Sequence, residues 1–171
     1  MIAPPNRVRA KDLELTQKVV KIKRVVKVVK GGRNLTFTSL VVVGNAEGIV
    51  GHGLGKAKEV IQAIQKGTNQ ARKHLISVPL RQDTIPHRVL GKFKGAQVLL
   101  QPAAPGTGII AGSGVRVVLE QAGIQNILAK SKGSNNPHNL VRATFVALQQ
   151  LRDALTVARQ RGITLEQVFN G

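Results

Sequence analysis

The sequence predicts an α+β protein in two halves, the first of three strands and a helix, the second alternating strands with helices. Three observations carry this. β-Branched residues crowd the stretch 19–30, which stops on Gly31-Gly32 and resumes as a second strand-like run. A glycine-rich segment, 49–55, gives way to helical spacing from Lys56 onward. Beyond a polar stretch bracketed by Pro79 and Pro86, strand and helix patterns alternate, as they do in α/β and α+β modules.

Residues 1–17 form a polar, proline-containing basic lead. The stretch 19–30 fits two periods. Val19, Ile22, Val26 and Val29 recur at helical spacing, whereas Val20, Ile22, Val26 and Val28 share one strand face interrupted by Arg24. β-Branched side chains suit a pleated surface and a Gly-Gly stop suits a turn, so a strand is expected. The reading set aside is a basic amphipathic helix, which would suit a membrane surface. Residues 35–43 are the hairpin partner, with Lys30-Gly31-Gly32-Arg33 as a flexible, cationic tip. Residues 44–48 read as a turn and 49–55 as a third strand. Val60, Ile61, Ile64, Ala71 and Leu75 outline one face of a helix.

In the second half, 88–93 and 96–101 are strands joined by Lys94-Gly95. A Pro-Gly segment, 102–114, leads to a helix near 115–121 that Gly123 closes. Residues 126–130 form another strand. Asn135-Asn136-Pro137 starts a helix, because an Asn side chain accepts from exposed amides and Pro loses nothing at the first helical position. That helix is expected to run to about Arg159, with a short Thr-capped helix over 164–169.

Lys and Arg number 26 against 8 Asp and Glu, a formal net charge of +18. Such a charge repels itself in a compact chain and becomes tolerable beside a polyanion, most commonly nucleic acid. A soluble basic enzyme is the bland alternative. The charge is concentrated early, in Arg7, Arg9, Lys11, Lys18, Lys21, Lys23, Arg24, Lys27, Lys30 and Arg33, opposed by Asp12 and Glu14. Four Phe with no Tyr or Trp disfavour stacking of successive bases on aromatic rings. Contacts to phosphate, sugar and RNA shape are favoured instead. The absence of Cys excludes disulfides and Cys-based zinc sites. No apolar run approaches the roughly 20 residues that span a bilayer. No apolar segment follows Arg7, Arg9 and Lys11, so a secretory signal is not expected and a cytoplasmic location is.

Gly51-His52-Gly53-Leu54-Gly55-Lys56 lies between strand and helix, where a phosphate loop would. The Walker pattern needs Gly at 50 and Ser or Thr at 57, but Val50 and Ala57 stand there; the dinucleotide fingerprint needs Gly at Lys56. Two readings stay open. Exposed amides at a helix start, with Lys56 and Lys58, attract an RNA phosphate; alternatively the glycines serve close packing. Gly106-Thr107-Gly108-Ile109-Ile110-Ala111 fits a looser dinucleotide pattern, but no acidic residue lies between Glu120 and Asp153, where one is needed about 20 positions on. Gly112-Ser113-Gly114 lacks the spacing of a nucleophile elbow. His52, His74, His87 and His138 show no metal-pair spacing, and the acidic residues are scattered. No metal, cofactor or catalytic pair is expected, and each His is expected to be structural or RNA-facing.

Lys30-Gly31-Gly32-Arg33, Phe37, Val42-Val43-Gly44-Asn45, Gly48, Gly51, Gly53 and Gly55-Lys56-Ala57 resemble the N-terminal signature of the bacterial small-subunit ribosomal protein S-five family. Gln101-Pro102-Ala103, the 106–112 run, Val115-Arg116, Asn126-Ile127-Leu128-Ala129-Lys130, Gly133-Ser134-Asn135-Asn136-Pro137 and 139–144 follow in the family's order. The resemblance implies a double-stranded-RNA-binding-like domain over 18–79, three strands plus a helix. A C-terminal α/β two-layer sandwich over 80–161 and a tail over 162–171 follow. It implies a structural constituent of the small ribosomal subunit that touches 16S rRNA and supports assembly and decoding accuracy. Proteins S-four and S-eight are implied neighbours, with mRNA nearby where it enters the subunit. The family's hairpin tip reaches toward the neck and head, near the spectinomycin site, which maps here to Val28, Lys30, Gly31, Gly32 and Arg33. RNA contacts are expected from these tip residues other than Val28, and from Lys18, Lys21, Lys23, Arg24, Lys27, Lys56 and Lys58. The surface toward protein S-four maps to Gly106, Thr107, Gly108 and Arg116. The chain departs from the pattern at His52, where a large apolar or aromatic residue is usual, at Ser39, commonly Ala, and in the tail after Arg159.

Two rivals remain. A free double-stranded-RNA-binding regulator would use only the first half, and an enzyme with a nucleotide site in the second half lacks its acidic partner.

Overall fold

The computed structural model describes residues 13–170, so the lead over 1–12 lies outside the described residues. Strands β1 (Thr16–Val29) and β2 (Gly32–Gly44) form a long antiparallel hairpin. Strand β3 (Ile49–Ala57), helix α1 (Val60–Lys73) and a short strand β4 (Leu75–Ser77) complete a sheet of order β1-β2-β3-β4. The second half comprises β5 (Val89–Phe93), β6 (Ala96–Pro102), β7 (Ile109–Ile110), α2 (Ser113–Gln121), β8 (Ile127–Gly133) and α3 (Pro137–Gln149). Its sheet runs β5-β6-β8-β7, with β7 parallel to β8. Helices α4 (Ala154–Arg161) and α5 (Leu165–Asn170) follow.

The expected α+β architecture is present, with differences that have physical causes. The edge strand β4 and the two-residue β7 are too short to carry a readable period. The helix begun by Asn136, whose Oδ1 accepts from the His138 N–H, stops at Gln149 instead of reaching Arg159. Leu151 turns into the core, and the Arg152 N–H donates to His87 Nε2 at 3.0 Å, which draws the chain out of the helix. Asp153, in extended conformation, then opens α4. Thr164 and Gln167 bond reciprocally at the start of α5, a capping box that bears out the expected Thr cap.

The first sheet is covered on both faces. Alternation along β2 sends Val41 and Val43 toward Ala71 and Leu75, under α1. Leu40 and Val42 face the other way and join Val115, Val118, Leu119 and Val141 of the second half in one core. Helix α1 lies unusually close to β3. A Cβ at Gly51, Gly53 or Gly55 would stand 2.5, 2.1 or 1.9 Å from the carbonyl oxygens of Ala71, Gly67 and Ala63 respectively. Ser39, commonly Ala in the resembling family, is fully buried and its Oγ–H donates to the Ala63 carbonyl at 2.7 Å. A lone buried hydroxyl would be destabilising, and this bond satisfies it.

The halves meet at a backbone joint. In the β2–β3 turn, Asn45 Oδ1 accepts from the amides of Glu47 and Ile49. The turn then presents the Ala46 and Gly48 amides to the carbonyls of Gln121 and Ala122, at 3.2 and 2.9 Å. These are groups that the C-terminus of α2 leaves without intrahelical donors. A Cβ at Gly44 would lie 2.0 Å from the Gln121 oxygen. Gly44→Ala is therefore expected to destabilise the protein by about 2–3 kcal/mol through overpacking. Gly112→Ala, where a Cβ meets open space, should stay within about 0.5 kcal/mol. Urea unfolding of the two variants beside wild type measures both.

Candidate nucleic-acid interface

Strand β3 pairs with β2 only between Phe37 and Gly44, so the hairpin beyond Phe37 projects as a two-stranded ribbon. Its turn is Lys30-Gly31, with Val29 opposite Gly32. Gly32 has φ +136°, a conformation that side chains resist, which explains the second glycine. Arg33 already belongs to β2, and Val28 opposite it is 74% exposed.

Opposed residues share a face, so register sorts the ribbon's side chains. One face carries the rows Lys21–Leu40–Leu54, Lys23–Thr38–Lys56, Val25–Thr36 and Lys27–Asn34. The other carries Arg24–Phe37, Val26–Leu35 and Val28–Arg33. The fold thus gathers Lys21, Lys23, Lys27 and Lys56 onto one lysine face and puts Arg24 and Arg33 on its reverse, with Lys30 at the turn. None of these cations forms a salt bridge among the described residues. Lys56 reaches this face from a strand; it does not start a helix. α1 begins at Val60, four residues after Lys56, and Lys58 is exposed in the connection between β3 and α1. The glycines of 51–55 thus lie within a strand and pack against α1, as the packing reading expects, while the helix start falls after Lys58 and Glu59.

Lys18 stands apart from the set. Its Nζ lies 2.6 Å from Glu120 Oε2 of α2, so it ties β1 to the second half. A register shift between Val19 and Lys21 then lets Val20 pack against the shared core.

In the 102–114 segment, Gly106 and Gly108 have φ +88° and +73°. Thr107 Oγ–H donates to the Ala104 carbonyl, and Asn126 Oδ1 accepts from the Gly108 amide. Exposed Arg116 donates to the Ile109 carbonyl at 3.1 Å, so the four expected interface residues share one pinned surface. The glycines precede the strand β7, whereas a dinucleotide fingerprint needs them to follow one. A second cationic surface, Arg88, Lys130 and Lys132 over the outer face of β5, β6 and β8, was hidden because register, not sequence distance, assembles it.

His52 occupies the seam between halves. Its ring lies 4.3 Å from the Phe145 ring of α3. Burial, then the nearby Arg142, His138 and His74, hold the imidazole down to about 4 from its ordinary 6.5. Burial, with Arg142 and Lys94, also lowers His138. Among the described residues, no group of three or more His, Cys, Asp or Glu could hold a metal ion. No described helix is long and apolar enough to cross a membrane.

The fold and this surface define a class: a two-part α+β protein built around a projecting cationic hairpin. Comparison with known proteins narrows it. The family described as Ribosomal protein S5, N-terminal domain, matches residues 15–79, and Ribosomal protein S5, C-terminal domain, matches 91–161. Relatives called small ribosomal subunit protein uS5 are similar over nearly the whole chain. That of Bacteroides thetaiotaomicron is 54% identical over 167 residues, 97% of each chain. That of Salinibacter ruber is 59% identical over 154 residues, 90% of this chain and 88% of that one. The chain belongs to the ribosomal protein S5 family.

The seam histidine generates a pH expectation. Its folded pKa lies below its unfolded value, so between about 4 and 6.5 the unfolded chain binds more protons. The stability that neutral His52 supports is complete above about 6.5 and is lost as pH falls toward 4, up to about 3 kcal/mol at 1.4 kcal/mol per unit. Urea midpoints at several pH values should fall across that window in wild type. His52→Phe, which keeps a ring against Phe145, should flatten the fall.

Proposed function

We propose that this chain is a structural constituent of the small ribosomal subunit, in which it binds 16S rRNA and supports assembly and decoding accuracy. Its closest physical analogue to a working site is the lysine face. The reading is carried by its similarity to proteins named for that subunit along 97% of its length. Within that role it does no covalent chemistry. A ribosomal location lets a polyanion neutralise Lys21, Lys23, Lys27 and Lys56, which crowd one face without acidic partners among the described residues. It also accounts for both halves, whereas a free double-stranded-RNA-binding regulator needs only the first.

In this reading the hairpin lays its lysine face along RNA phosphates, its tip toward the neck of the subunit and the mRNA channel. The pinned surface of Gly106, Thr107, Gly108 and Arg116 faces protein S-four, with protein S-eight also adjacent. A cross-link from position 107 to protein S-four in purified subunits checks that placement, and its absence counts against it.

Each phosphate neutralised contributes about 0.7–0.9 to the slope of log affinity against log salt. With several lysines engaged, the slope for an rRNA fragment should be about −4 or steeper. Lys23→Ala with Lys27→Ala should make it shallower by about 1.5 while leaving the melting temperature unchanged, since both residues are exposed. Titrations at several salt concentrations, beside thermal melts and co-sedimentation with small subunits, test this. A slope near zero, or a protein that stays free of the subunit, would overturn it.

A further inference from the structure

The lysine face does not end at the sheet. Between β2, β3 and the start of α3, a groove lined by Lys21, Lys23, Leu54 and His138 runs into a cleft of about 210 Å³, and both share Leu54 and His138. The cleft is built from both halves. His52 lies on its β3 side, His74 just past α1, and His138 and Arg142 on one face of α3. His138, Arg142 and Phe145 follow at spacings of four and three, which stack along one helical face. Among the described residues, its lining includes Gln70 and Gln149 but no Asp or Glu.

Two features set the cleft apart from ordinary packing. His52 Nδ1 and His138 Nδ1 are both enclosed and have no hydrogen-bond partner among the described residues. A buried polar atom left so is destabilising, and each such atom calls for a physical reason. A purely structural His52 would gain nothing from its nitrogens, since a phenyl ring would stack on Phe145 equally well. Meanwhile the groups facing these rings are cationic or neutral: Arg142, His138 and His74 toward His52, Arg142 and Lys94 toward His138. Protonated, each imidazole carries an N–H on both ring nitrogens, and such rings beside a guanidinium, with no acid among the described lining residues, suit a tetrahedral oxyanion.

We propose that this cleft binds one phosphate group, held by Arg142 and the imidazoles of His52, His74 and His138. The group is a backbone phosphate of bound RNA or a free phosphate ion. Continuity with the lysine face favours the first, and that choice alone rests on the proposed RNA-binding role. Occupancy is proton-linked. An anion within reach favours the charged imidazole, so a bound phosphate raises the protonation of His52 and His138, and lower pH tightens binding.

The test is histidine titration of the full chain by NMR, in inorganic phosphate and in chloride at equal ionic strength. Phosphate should raise the pKa of His52 and His138 by about one unit. It should leave His87, which bonds the Arg152 amide outside the cleft, where it was. Arg142→Gln should abolish the rise, and Arg142→Lys, which keeps the charge and guards against a folding effect, should retain it. No rise, or an equal rise at His87, overturns the site. A second arm replaces inorganic phosphate with an rRNA fragment in chloride. The same rise assigns the cleft to an RNA phosphate. A rise with inorganic phosphate alone, while the RNA is bound, assigns it to the free ion and overturns the RNA assignment. If the wild-type chain fails to bind the RNA at all, the proposed function fails, and the inorganic arm still decides the cleft.

Discussion

The structure depends on a capping arrangement in which the β2–β3 turn of the first half donates two backbone amides to the last carbonyls of α2. Helix ends leave carbonyls without partners, and burying them unsatisfied is destabilising. Here the Ala46 and Gly48 amides supply the bonds, so α2 is completed by the other half of the chain. The approach requires a bare backbone at Gly44 and at Gly123, where a Cβ would lie 2.0 Å from the Ala46 oxygen. Side-chain packing then follows from this contact. Leu40 and Val42 share a core with Val115, Val118 and Leu119, and Lys18 is set against Glu120. Two sheets that look separable in sequence become one body.

That fusion explains the shape of the functional surface. With α1 over one face of the first sheet and the second half over the other, the sheet is fixed only as far as β3 extends. The remainder of the hairpin projects without cover from the described residues. Period-two alternation then divides its side chains, the lysines and Val25 to the side continuous with the second half, and Val26, Val28, Leu35 and Phe37, with Arg24 and Arg33, to the reverse. The same geometry brings Lys56, distant in sequence, into the row of Lys23. The cleft around His52 arises where the lysine side runs under α3, which is why it contains residues of both halves.

Much of this was legible in the sequence. β-Branched residues before Gly31-Gly32 indicated the hairpin, and Asn136-Pro137 marked the start of α3, because capping and turn chemistry are local. The hairpin's cations were legible as a charged set, but their division between two faces was not, since facing depends on the register of β1 against β2 and on the shift at Val19/Lys21. The glycines of 51–55 left packing and phosphate binding open. Only the position of α1 shows the packing, by placing Ala63, Gly67 and Ala71 against those glycines. The end of α3 was missed because its cause is a bond from Arg152 to His87, 65 residues away. His52 was visible as a departure from the family's pattern, but its neighbours His138 and Arg142 come from α3 and have no sequence signal linking them to it.

The central claim is that the lysine face, not its reverse, lies on RNA. The chain has no cysteine, so a single one can be placed at will. Val25 and Val26 are adjacent, equally exposed at 41% and 42%, and on opposite faces of the ribbon. A short photo-crosslinker on Val25→Cys, in the row beside Lys23 and Lys27, should capture rRNA in assembled subunits several times more efficiently than the same reagent on Val26→Cys. Equal capture, or capture mainly from position 26, would contradict the account.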